Sequence, residues 1–154
     1  SNIAVSQQSF YGRGVIQPSL WQSADGSVHM LLRSSEGFVY RSDSADDGET
    51  WCGAYALSLP NNNSGLDLVR TAAGVLYLVC NPVAANWGQR SPLSLFQSTD
   101  DGASWQKLFD LETEPAEFSY PAIIVDGEGL VITYTYKRCN IACVRLSADE
   151  LVTL

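Results

Sequence analysis

The sequence is poor in the residues on which many site chemistries depend. It has one histidine, one methionine and four cysteines, and the cysteines Cys52, Cys80, Cys139 and Cys143 fall in no CxxC or zinc-ligand spacing. A metal site built on histidine and thiolate is therefore not indicated, and no metal or organic cofactor is implied. The four cysteines read as buried thiols. Cys139 and Cys143 read as sharing a strand face, about 13 Å apart and too distant to bridge directly. Basic residues are also few, nine against seventeen acidic, for a net charge of -8. A chain of that sign repels nucleic acid and anionic membranes, so an anionic ligand must be held by local cations. No apolar run approaches the roughly 20 residues of a membrane span. The N-terminus has no basic start followed by an apolar stretch, so the chain as given reads as soluble. Its opening Ser1-Asn2 leaves a preceding leader or region open, and the compartment is undetermined. At 45% hydrophobic and 17% charged residues, disorder and collagen are excluded.

What the sequence has is repetition. One unit runs through VHMLLRS and FVYRSDS to SADDGETW, and a second through VLYLVCN and LSLFQS to STDDGASW. Both end in the pattern S-x-D-x-G-x-[ST]-W. Its residues are Ser44, Asp46, Gly48, Thr50 and Trp51 in one copy and Ser98, Asp100, Gly102, Ser104 and Trp105 in the other. A third unit, AIIVDGEGLVITYTYKRCNIACVRLS, repeats the strand pattern but continues ADEL without the box. The box reads as a tight turn in which Ser and Asp oxygens accept from loop amides, Gly supplies a positive φ and Trp anchors the loop. It has too few ligands for an EF-hand calcium site. Val, Ile, Tyr, Phe and Thr fill the runs between Gly, Asp and Asn turns, which predicts an all-β chain. A repeat near 50 residues with several strands per unit fits β-propeller blades, about three of them, each four-stranded and antiparallel. The expected blades are near 12–60, 61–115 and 116–154 of one partial propeller domain spanning 1–154. Three blades do not close a ring, so the rest of a longer chain or a second copy is expected to supply the others.

The boxes and the segments between them resemble those of sialidases (neuraminidases), whose Asp-box or BNR repeats build a six-bladed propeller. QPSLWQSADGSVHMLLRS is similar to the blade that in sialidases carries a catalytic Glu, an Asp-Gly turn and an arginine. Gln17 stands where the family has Glu, and Arg33 matches the arginine. NWGQRSPLSLFQSTDDGASW resembles the segment that supplies another arginine, here Arg90. YPAIIVDGEGLVITYTY resembles the segment with the nucleophilic tyrosine, here Tyr120.

The resemblance implies a glycosidase acting on a terminal acidic sugar such as sialic acid, with Arg33 and Arg90 on its carboxylate and Tyr120 as nucleophile. Arginine's planar fork suits a carboxylate, and a neutral tyrosine suits an anionic anomeric centre. Gln17 departs from the pattern, because an amide orients a phenol but does not take its proton. Glu117, three residues before Tyr120, could act as the base instead if the chain bends there, though strand alternation places the two on opposite faces. The family's acid/base Asp and first arginine have no counterpart here, so this chain alone is expected to be inactive. Two other readings stay open: a hydrolase or lyase of uronic-acid glycans with Tyr120 in acid/base work, and a carbohydrate-binding propeller without turnover. The Leu59–Asp67 loop makes Asn62, Asn63 and Ser64 further candidates for sugar binding, and Trp87 a candidate for stacking. His29 reads as structural, with no triad or metal site around it.

Overall fold

The computed structural model describes Ile3 and residues 14–153. The strands form three antiparallel sheets joined in chain order. The first contains β1 (Val15–Gln22), β2 (Val28–Ser34), β3 (Phe38–Ser44) and β4 (Tyr55–Pro60). The second contains β5 (Asp67–Arg70), β6 (Leu76–Cys80), β7 (Leu93–Ser98) and β8 (Gln106–Glu112). The third has three strands, not four: β9 (Phe118–Asp126), β10 (Gly129–Tyr136) and β11 (Asn140–Leu146). Where the third unit lacks the box, Ser147 caps a short helix instead, α1 (Ala148–Val152). Its backbone N–H donates to Glu150 Oε2 at 2.8 Å, half of a capping box.

The sheets stack as blades, with the first strands β1, β5 and β9 side by side at the inner edge. Side-chain alternation explains the order. On β6, Leu76, Leu78 and Cys80 face a core with Trp21, Leu31, Val39 and Phe96 of the first two blades. The intervening Tyr77 and Val79 face a second core with Phe118, Ile123, Leu130 and Ile132 of the third. Every β6 residue is thus buried, as a strand covered on both faces requires. Asp67, at the start of β5, ties the inner strands together. Its Oδ1 accepts from Ser19 Oγ on β1 at 2.7 Å, and its Oδ2 from the Ile123 amide on β9 at 2.9 Å.

The two boxes close in the same way. Asp46 Oδ1 accepts from the Thr50 amide and Asp100 Oδ1 from the Ser104 amide, at 2.8 and 2.9 Å. Ser44 and Ser98 hydroxyls accept from the Gly48 and Gly102 amides, and both glycines have positive φ.

The cysteine reading holds only for Cys80. Cys52, Cys139 and Cys143 are exposed, and Cys139 lies in the β10–β11 turn rather than on a strand face with Cys143. Alternation on the outermost strand β11 sends Cys143 to the uncovered side, so its apolar character does not bury it.

Candidate functional site

The first strands of blades one and three carry the same irregularity at the same end. Between the pairs Ile16↔Arg33 and Ser19↔Leu31, two residues of β1 oppose one of β2. Between Ser119↔Thr135 and Ala122↔Thr133, two residues of β9 oppose one of β10. The extra pairs are Gln17-Pro18 and Tyr120-Pro121, and the first member of each is left-handed, with φ of 55° and 53°. Proline suits such a bulge because its missing N–H costs no ladder bond there. The bulges turn Gln17 and Tyr120 out of the regular alternation and leave both exposed. In blade two the corresponding position is Gly65. A Cβ there would lie 3.3 Å from Gln17 Nε2 and 3.5 Å from Tyr120 Cδ1, so the bare glycine lets the two side chains meet over it.

Two guanidiniums face this pair. Arg33, at the end of β2, is half-buried, and its Nε is buried without a hydrogen-bond partner. Burial, and after it the like charge of Arg90, lowers the pKa of Arg33, while Tyr120 works the other way. Arg90 lies over the Tyr120 ring, its Cζ 5.2 Å from the centroid. The Tyr120 hydroxyl is pulled below its ordinary pKa, first by the hydrogen bond and charge that Arg90 offers, then by Arg33 and Arg138, against a raising influence of burial. Arg90 also pairs with Glu117, NH1 to Oε1 at 3.3 Å. The bulge therefore corrects the alternation argument. Glu117 and Tyr120 are not separated by the sheet but contact one guanidinium.

This end of the blades thus presents Gln17, Arg33, Arg90 and Tyr120 around Gly65, a cationic and phenolic surface suited to an anionic ligand. A model of the BNR repeat-like domain matches residues 3–132. The chain belongs to the BNR repeat-like domain family. Three solved structures give the wider fold. The intramolecular trans-sialidase from Ruminococcus gnavus, in complex with oseltamivir carboxylate, is 18% identical with a TM-score of 0.68, over 92% of this chain and 34% of that one. The GH93 α-L-arabinofuranosidase of Fusarium graminearum, in complex with arabinobiose, is 15% identical with a TM-score of 0.71, over 93% and 47%. The NanB sialidase from Streptococcus pneumoniae is 13% identical with a TM-score of 0.69, over 86% and 23%. The BNR repeat-like chain spans less than half the length of each, and at such identity the likeness is one of fold: blades of a sialidase-type propeller. No curated protein matches the sequence.

Asn62, Asn63 and Ser64 of this BNR repeat-like chain are buried, the two asparagine side chains bonded to the 82–90 loop and Ser64 to Asn81 just before it. Asn62 Nδ2 donates to the Gln89 carbonyl, Asn63 Nδ2 to Asn86 Oδ1 at 3.0 Å, and Ser64 Oγ to Asn81 Oδ1 at 2.7 Å. Asn81 in turn donates to the Pro92 and Phe118 carbonyls. These bonds fix the loop that carries Arg90 and leave Trp87 exposed on it.

At the opposite end of the blades, the structure assembles around His29 a cluster that the sequence does not show. Ser23 Oγ lies 2.7 Å from His29 Nε2 and Asp43 Oδ1 2.6 Å from Nδ1, the order of a Ser-His-Asp triad. The Ser23 hydroxyl, however, donates to Asp101, whose carboxylate would repel an oxyanion formed there. Trp21 Nε1 donates to the same carboxylate at 3.1 Å, and Arg41 NH1 to the Asp101 carbonyl at 3.1 Å. The cluster is a clasp between blade one and the box of blade two. Among the described residues, no three or more His, Cys, Asp or Glu side chains are grouped to hold a metal ion.

Proposed function

We propose that the chain supplies the tyrosine-bearing part of a glycosidase site for a terminal acidic sugar of the sialic acid type. Arg33 and Arg90 grip the sugar carboxylate, and Tyr120 faces the anomeric carbon. The observation that carries this reading is the convergence of two guanidiniums on one exposed tyrosine, with a buried Arg33 Nε that has no partner of its own. A carboxylate ligand accepts from the guanidinium N–H groups and offsets the repulsion between the arginines. A neutral sugar such as the arabinobiose bound by one of the structural neighbours offers hydroxyl acceptors but no charge to offset that repulsion.

In this reading Gln17 orients the Tyr120 hydroxyl, and the arginines take over part of the work of a base by favouring the phenolate. Once its proton has gone to solvent, the phenolate oxygen bonds to the anomeric carbon as the bond to the leaving group breaks; water then attacks that carbon, the tyrosine oxygen departs, and the water's proton passes to solvent. The proton for the leaving group comes from an acid outside the residues assigned here. Asn62, Asn63 and Ser64 act through the loop they hold, and Trp87 stacks on the sugar or its leaving group.

The neutral Gln17 favours a second reading, a glycan-binding propeller without turnover. One experiment separates the two: the full-length protein is offered an aryl sialoside, a uronate oligomer and an aryl arabinofuranoside, with binding and product release both followed. The proposal expects sialoside turnover that Tyr120→Phe abolishes, and binding that Arg33→Met weakens about 10- to 100-fold, the worth of a lost charged hydrogen bond. Binding without release supports the second reading. Turnover selective for the neutral sugar, indifferent to Arg33, overturns both.

A further inference from the structure

Glu117 is in contact with both arginines that flank Tyr120 on the blade-three side. It sits just before β9, and its backbone is fixed from both directions. Its carbonyl accepts from the Lys137 amide at 2.8 Å, and the next residue, Phe118, donates its amide to the Arg90 carbonyl at 3.1 Å. Its side chain is forked between two cations. Oε1 accepts from Arg90 NH1 at 3.3 Å and from the buried Ser119 hydroxyl at 3.1 Å, and Oε2 accepts from Arg138 Nε at 2.7 Å. Arg138 stands on the β10–β11 turn, largely exposed, where Lys137 and Arg138 both adopt left-handed φ.

These contacts argue against Glu117 as the proton acceptor that Gln17 cannot be. Burial raises its carboxyl, but the donors Arg138 and Ser119 and the charges of Arg90 and Arg138 outweigh it and hold the group below the usual carboxylate range. A carboxylate so engaged is a poor base. What it offers instead is geometry. Arg90 and Arg33 are like charges facing one tyrosine, and an arginine on a loop has rotamers that would carry its head away from the other cation. An anion behind Arg90 removes that tendency.

We propose that Glu117 is the positioning residue of the site: it holds Arg90 against Tyr120 with one oxygen and tethers Arg138 at the rim with the other, without touching the ligand. The proposal deepens the glycosidase reading and rests on Tyr120 as the reacting group, but its primary test needs no substrate.

Ionisation of Tyr120 is followed by tyrosinate absorbance in the full-length protein, with Tyr120→Phe identifying its share of the signal. Glu117→Gln distinguishes two roles by sign. If Glu117 acted only through its own negative charge, its loss would let Tyr120 ionise at lower pH. If it holds Arg90 in place, Arg90 moves off, and Tyr120 ionises at higher pH. The positioning role further expects that in an Arg90→Met background Glu117→Gln raises the midpoint much less, the remainder coming from the released Arg138. Ser119→Ala, which removes the donor that orients the carboxylate, is expected to give a smaller rise in the same direction, and serves if Glu117→Gln does not fold. A midpoint that falls or stays constant in both variants, or the same rise without Arg90, overturns the proposal. With an acidic aryl glycoside, kcat is expected to fall about tenfold in Glu117→Gln, in line with one charged hydrogen bond. Lack of turnover by the unmodified protein would count against the glycosidase reading while the titration still decided the role of Glu117.

Discussion

Gly65 contributes to the site by what it leaves empty. A methyl group there meets the Gln17 amide at 3.3–3.4 Å and the Tyr120 ring at 3.5 Å, closer than comfortable contact to the amide. Its φ is not in the left-handed region, so alanine imposes no backbone strain. Gly65→Ala is therefore expected to leave the melting temperature nearly unchanged while ligand affinity or turnover drops about tenfold, since small misplacements at a reacting centre are costly. Parallel thermal melts and ligand titrations check this, and a large loss of stability without a functional effect would contradict it. Gln17→Glu probes the facing side. A carboxylate beside Tyr120 disfavours the phenolate by like charge but accepts the phenolic proton, so turnover of an aryl sialoside is expected to rise while the resting tyrosine titrates at higher pH. Residues of this kind differ in how far the sequence reveals them. Gln17, Arg33, Arg90 and Tyr120 are legible through motif spacing, and the structure gathers them at one end of the blades. Gly65 and the role of Glu117 carry no such signal. The first is defined by two side chains from other blades, and the second depends on a bulge that period-two reasoning assumes away.

The repeated boxes show how an element can be readable while its partners are not. Their internal bonds are implicit in the pattern itself, and so is an acid dependence. Ser104, through its hydroxyl and its amide, and then Ser98 hold the Asp100 carboxyl at about 2, below the ordinary carboxylate value. A group with a depressed native pKa contributes stability that is full above its unfolded pKa and lost as pH falls through the native one. Melting temperature is thus expected to decline between about pH 4 and about pH 2. Asp100→Asn should flatten that decline and lower the melting point at neutral pH. Asp101, the adjacent and less constrained position of the same box, serves a different end. It receives Trp21 and Ser23 from blade one, beside the His29–Asp43 pair. No pattern within one repeat announces this. Its homologue in the first box, Asp47, is exposed, and the cross-strand pair homologous to His29↔Asp43 is Tyr77↔Gln97. Asp101→Ala is expected to cost about 1–3 kcal/mol, the penalty of leaving buried donors unpaired, read from denaturant midpoints at unchanged m-value.

At the scale of the molecule, the all-β class and its propeller blades are legible, because strand-rich repeats with turn signals between them leave few other ways to stack the sheets; the pairing of residues into two inter-blade cores is not. The replacement of a fourth outer strand by α1 was not, since a missing box leaves the next element undetermined. The uncovered sides of the stack carry Leu20, Ile124 and Ile141, the last 70% exposed. Apolar groups on an open sheet face favour association, so these 154 residues expressed alone are expected to bind a hydrophobic dye and to exceed one-chain mass in light scattering. A longer protein with more blades should lose the dye signal. A monomer that excludes the dye would contradict the expectation.

The matching kinks in blades one and three have an evolutionary consequence. Each is an interchangeable socket: a left-handed residue held at a bulge and turned out of the sheet, exposed, so its side chain carries little of the folding energy. A lineage can therefore try new occupants at Gln17 or Tyr120, acid, amide or phenol, and alter the reaction without rebuilding the scaffold. Divergent activities within such repeat proteins would then be expected to concentrate at two positions per half-ring, and a library randomised at these two codons alone should yield folded proteins at high frequency.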